Sequence, residues 1–143
     1  MTVATAIATR LLELSAVTDL VGTRVRVLKL RQTETLPAIR VQRISTTEQM
    51  HERGSVGMFR SRVQVDSVAL EASGLDPYAT AASVDDAVHG DGAGSGLCGW
   101  QGEIGSPAFV IDAILPDGLQ EMYEPDTSKQ VRVIRDYIVW HRG

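Results

Sequence analysis

The side chains best suited to chemistry are few, and their spacing suits none of the common reactions. His51, His89, His141 and Cys98 are the soft or borderline metal ligands, and no two of them stand at a zinc-type spacing. His141 falls in the last strand-like segment and reads as a surface or interface histidine. The stretch "HGDGAGSG" offers too few alternating oxygens for a calcium loop. Gly94, Gly96 and Gly99 spell G-x-G-x-x-G, but that motif cradles phosphate only between a strand and the helix whose N-terminal amides it aims. Here a helical segment comes first and "CGWQGEIGSP" follows, so the match reads as coincidence in a glycine-rich loop. Ser95 has Ala93 two residues before it, not the glycine of a nucleophile elbow. Asp85 and Asp86 are neighbours on a helix and point about 100° apart, which suits a solvated face and not an acid/base pair. The residues therefore assign no catalytic, metal or cofactor-binding group.

What remains is a surface built for contact. "RSRVQVDSVAL", residues 60–70, alternates with a period of two. Val63 and Val65 lie on one side, and Arg60, Arg62, Gln64 and Asp66 on the other, until Val68 and Leu70 turn that second side apolar. Arg24, Arg26 and Arg40 share this parity on the two preceding strands, so one face can gather them with Gln42. Such a face is either an ordinary solvated surface or a seam for another chain. Arginine's planar fork favours interface ion pairs and phosphate contacts, where lysine favours plain solvation. Lysine is scarce, with only Lys29 and Lys129. Met50, Met58 and Met122 stand in or beside polar connections, as adaptable contacts or as simple loop anchors.

The elements that position these residues read as follows. A helix spans about 3–15 with Val3, Ile7, Leu11 and Leu14 as its stripe. Strands follow at 24–30, 38–45 and 59–70, the last two joined by a long, mobile hairpin connection over 46–58. A second helix over 75–90 has Asp76 as its cap, Pro77 at its first position and Gly90 as its stop. Its buried side is Leu75, Tyr78, Ala82 and Val88. The segment 90–107 contains seven glycines and no sustained period, with Cys98, Trp100 and Ile104 as possible anchors. Strands at 108–115 and 131–142 finish the chain, and the last is apolar on both sides, as befits a central strand covered on both faces or one covered on one side by a neighbouring chain. The order α-β-β-β-α-β-β with short links predicts an α+β fold, a mostly antiparallel sheet of about five strands packed with two helices.

The 143 residues fit one domain large enough to bury its own core. No apolar run approaches the roughly 20 residues a membrane helix needs, and the first residues pattern as an amphipathic helix, not a secretory signal. A lone cysteine excludes an internal disulfide and fits a reducing compartment. The net charge of −4 is uneven, with ten basic and six acidic residues in 1–70 against four and twelve in 71–143. An acidic whole argues against general nucleic-acid binding.

The stretches "ATRLLELSAVTDLVGTRVRV", "LPAIRVQRIST", "RSRVQVDSVAL" and "MYEPDTSKQVRVIRDYIVWHR", in that order, resemble the tail completion or tail-to-head joining proteins of tailed phages and prophages, which act as tail terminators. The resemblance implies an α+β protein without cofactor that assembles with itself as a ring, usually a hexamer. Such a ring caps the tail tube protein and docks to the head connector protein, with DNA passing through its lumen without specific binding. It places the protein in the virion at the head–tail interface, after assembly in the host cytoplasm, away from membranes. Patterning then offers Arg40, Met50, His51, Arg53, Met58, Arg60, Arg62, Asp66, Trp100 and Met122 as subunit or partner contacts. Alternatives are another head–tail connector component (adaptor or stopper), or a small-ligand-binding or enzymatic α+β domain. The second would need polar groups converging in a closed cavity.

Overall fold

A computed structural model describes residues 1–31, 34–70, 76–124 and 130–142. Three helices, α1 (Val3–Leu12), α2 (Ser15–Val21) and α3 (Pro77–His89), pack on one side of a six-stranded sheet. The strands are β1 (Val25–Val27), β2 (Ala38–His51), β3 (Gly54–Leu70), β4 (Gly102–Ile104), β5 (Phe109–Glu124) and β6 (Gln130–Arg142), in the spatial order β1-β2-β3-β6-β5-β4. The α+β class and the mostly antiparallel sheet agree with the sequence reading; there is one more helix and one more strand than expected.

The extra helix comes from a break in the first one. Thr2 caps α1 by accepting from the Thr5 amide at 3.2 Å, and Val3, Ile7 and Leu11 are buried as the stripe requires. Leu14 then adopts an extended backbone and α2 begins afresh, burying Val17 and Val21 before Gly22 turns at φ 60°. The extra strand is β4, three residues long, paired to the start of β5. The expected antiparallel pairing fails at β1. It runs parallel to β2, with Val25 opposite Ile39.

The hairpin connection expected over 46–58 is there, but as paired strand up to a short turn and not as a long mobile loop. Pairing continues through Thr46 with Ser61, Glu48 with Phe59 and His51 with Gly54, and Gly54 supplies a φ of 120° beside the turn. Register shifts between Arg43 and Ser45 and between Glu48 and Met50 explain why the alternation disappears. Each bulge adds a residue and reverses which side chains share a face. The same device hides β5, which runs on to Glu124 through shifts after Ile111 and Pro116.

Val41, Val63, Val65, Tyr137, Val139, Ile111 and Ile114 line the helix-covered face with α1, α2 and α3 in one apolar cluster. A smaller cluster joins Ala81 of α3 to Ala69, Val131 and Val133. Asp76 caps α3 by accepting from the Tyr78 and Ala79 amides, and the helix buries Ala81, Val84, Asp85 and Val88. This differs from the expected side: Tyr78 is exposed, Ala82 only half-buried, and Leu75 lies outside the described residues. Asp85 also corrects the solvated-face reading. It is buried and holds Arg135 in a two-pronged ion pair, its Oδ2 2.7 Å from Nη2, while Asp86 stays exposed.

The glycine-rich segment is a folded plug. Gly90 and Gly96 touch so closely that a Cβ on Gly96 would stand 2.5 Å from the Val88 carbonyl. Leu97 and Cys98 are buried, and Arg10 donates to the Gly94 carbonyl at 3.1 Å while its guanidinium lies 4.5 Å over the Trp100 ring. Within the glycine motif the Gly94 amide donates to the Cys98 carbonyl and that of Gly99 to the Ile114 carbonyl. The segment follows a helix and leads into a strand, the reverse of a phosphate cradle.

Candidate assembly surface

The opposite face of the sheet carries no residue of the main apolar cluster. Strand register sets its rows. Arg26, Arg40, Asp66, Ile134 and Gln120 lie side by side; then Gln42, Gln64, Asp136 and Gly118; then Ser45, Arg62, Ile138 and Leu115; then Thr47, Arg60, Trp140 and Ala113. The shared parity read from the sequence is therefore the real geometry for Arg26, Arg40, Arg60, Arg62 and Gln42, while Arg24 falls just before β1 and donates to the Pro37 carbonyl. Ile134, Ile138 and Val68 are buried on it although they belong to neither apolar cluster. β6 is central, between β3 and β5, with one face under the helices and the other under this layer of long polar side chains.

The arginines are held by carboxylates of the same chain. Arg40 pairs with Asp66, whose Oδ2 also lies 3.6 Å from Arg132. Arg62 bridges Asp117 and Asp136, the second at 2.6 Å, and Gln64 donates to Asp136 at 3.3 Å. Arg26 grips Glu34 through two contacts of 3.2 Å. Asp66 is the costly member, because its side chain is only 1% exposed and its Oδ1 has no partner among the described residues. Burial raises its pKa against the opposing pull of Arg40 and Arg132.

The proposed contact residues fall in three places. Arg40, Arg60, Arg62 and Asp66 share the uncovered face, and Met122 joins its far end opposite Arg132. Met50, His51 and Arg53 are exposed on the hairpin arm, with Met58 half-buried at its base. Trp100 is apart from all of these, packed against the helix-side core. His141 corrects the surface reading. It is buried on the helix side, with Nε2 2.7 Å from Ser61 Oγ and its ring stacked between Phe59 and Phe109. Burial lowers its pKa from the ordinary 6.5. The sequence reading misses four exposed apolar residues: Ile44 and Leu115 stand at the ends of the strands expected at 38–45 and 108–115, while Val56 and Leu119 lie on strand extensions that bulges and "PDG" disguise.

One face of the sheet is thus left without helices, its arginines held by carboxylates of the same chain and exposed apolar side chains at its margins. The chain matches the model of the family "Tail completion protein gp17" over residues 5–141 and belongs to that family. It is therefore a structural protein of a phage tail. Among solved structures it is similar to a chain of the "Virion of native gene transfer agent (GTA) particle" at 12% identity, a TM-score of 0.66 and coverage of 99% of this chain and 95% of that one. At that identity the likeness speaks for the fold. No curated protein sequence matches the chain.

Proposed function

We propose that this protein ends the phage tail tube as a homo-oligomeric ring, a hexamer by family resemblance, and joins that tube to the head connector. DNA passes through the lumen without specific recognition. The protein resides in the virion at the head–tail interface and assembles in the host cytoplasm. It folds as one domain. The carrying observation is the uncovered sheet face. It buries Ile134 and Ile138 with no helix over them and fixes Arg40 and Arg62 in carboxylate pairs. A pre-ordered face loses little side-chain freedom when another chain covers it. Arg60, free of ion pairs among the described residues, and Met122 mark its margins as contact residues.

The enzymatic or ligand-binding alternative draws no support from the same residues. Arg60, Arg62 and Asp66 stand in separate rows of an open face, and Arg62 borders only a shallow groove of about 250 Å³ with Asp117 and Asp136. An adaptor or stopper role is a variant within the structural class. Sedimentation with tail tubes that lack their terminator tests the proposal. The protein is expected to pellet with the tubes and to restore joining to filled heads. A monomer with no affinity for tubes would contradict it.

A further inference from the structure

Two edges of the sheet are open, and they lie at opposite corners of the molecule. On β2, the parallel strand β1 covers only Ile39–Val41, with the Leu28 amide still donating to the Val41 carbonyl. From Ile44 to His51 the far side of β2 pairs with no described strand. On β5, β4 covers Phe109–Ile111 and the Gly99 amide donates to the Ile114 carbonyl. From Leu115 to Met122 its far side is likewise unpaired with any described strand. The arm lies beyond the C-terminal end of β6, past the Phe59–His141 pair, whereas Met122 sits by Arg132 near β6's start. One chain cannot bring these two edges together.

Both edges are long and expose apolar side chains among polar ones, with Glu48 and two bulges on the first and Pro116, Asp117, Glu121 and a bulge on the second as partial guards. The arm exposes Ile44 and Met50, the latter at 64%, and β5 exposes Leu119 at 52% together with Met122. Beside Met122 runs a mainly apolar groove of about 490 Å³, walled by Pro77, Tyr78, Glu121 and Val131. Charge matches as well. Residues 43–62 carry four arginines against two glutamates, and β5 carries Asp112, Asp117, Glu121 and Glu124 with no basic residue. Part of this charge is already satisfied, since Arg62 holds Asp117 and Arg142 holds Asp112. Arg43, Arg53 and Arg60 have no ion-pair partner among the described residues.

We infer that the β2–β3 arm of one copy docks on the β5 edge of the next copy, adding its free strand edge there and laying Met50 or Ile44 into the groove beside Met122. Strand addition of this kind takes affinity from main-chain hydrogen bonds and register from alternate side chains. The occupant is a second copy because donor and acceptor surfaces are both present, complementary and out of mutual reach in one chain. A contact between two different patches repeats head to tail and closes as a ring when the rotation allows. The inference rests on the ring proposed above and names its joint.

The test is cysteine cross-linking of the full chain on tail tubes. Cys98 is buried and does not compete. The double variant Met50→Cys/Met122→Cys is expected to give, on oxidation, a ladder of covalent oligomers ending at the ring number. A mixture of the two single variants should stop at dimers. Leu119→Lys in the double-variant background should abolish the ladder, and circular dichroism of that variant shows whether the fold survives. A ring visible on tubes with no ladder overturns the docking and leaves the ring standing. Absence of both overturns both. A ladder without tube binding keeps the joint and contradicts the tail-capping role. If a photo-cross-linker attached to the thiol of the single variant Met50→Cys is recovered on tube protein instead of a second copy, the self-docking assignment is wrong.

Discussion

At the scale of single residues, two buried polar groups make the account testable. His141 titrates below its ordinary 6.5 because burial, and then Arg43, disfavour the imidazolium. A histidine with a lowered folded pKa is neutral in the native state while the unfolded chain takes up protons, so its contribution is present above about pH 6.5 and is lost as pH falls below it. Urea unfolding at a series of pH values should show stability declining on the acid side of neutrality, with a shallower decline in His141→Gln. Asp66 has the opposite sense. Its raised pKa means that the native state binds a proton more readily than the unfolded chain, so its term weakens stability as pH rises through the carboxylate range. The carboxylate nevertheless holds Arg40 and Arg132. Asp66→Ala should therefore cost about 3 kcal/mol at neutral pH, the scale of an interrupted buried ion pair, read as a lowered urea midpoint.

At the scale of elements, the legible parts of the sequence are those where one face is buried. Residues 60–70 show their strand and its polar side because the Val63 and Val65 positions must reach the core. The Arg40, Arg62, Asp66 face follows from parity, with no further information needed. The arm and the second half of β5 are illegible for one reason. Backbone pairing holds them outside the core, so no burial writes a period, and bulges reverse what period there is. The partnership of Asp85 with Arg135 is hidden because it joins residues fifty positions apart. The glycine segment reads as a loop, but its packing is not visible in its sequence. Gly96→Ala should destabilise the chain by about 2 kcal/mol through collision with the Val88 carbonyl. Gly92, with open space around its missing Cβ, should cost less on the same change, about 1 kcal/mol for its backbone alone. Thermal melts of the two variants separate packing from conformation.

At the scale of the whole molecule, the chain has a well-packed side and an unfinished one. Helices close one face of the sheet, while the other face, the arm and the β5 edge present pairing groups and apolar side chains outward. Family membership over residues 5–141 makes the chain a structural protein of a phage tail, the assembly in which the proposed contacts would lie. The sequence carries that likeness in the order of its strand patterns and not in any chemical signature. The proposed contact residues are distributed over elements that only folding brings together. The most direct measurement of the central proposal is electron microscopy of the purified protein mixed with unterminated tail tubes. The account predicts a ring of this protein at one end of each tube and none along its length. Bare tube ends beside dispersed monomers would contradict it.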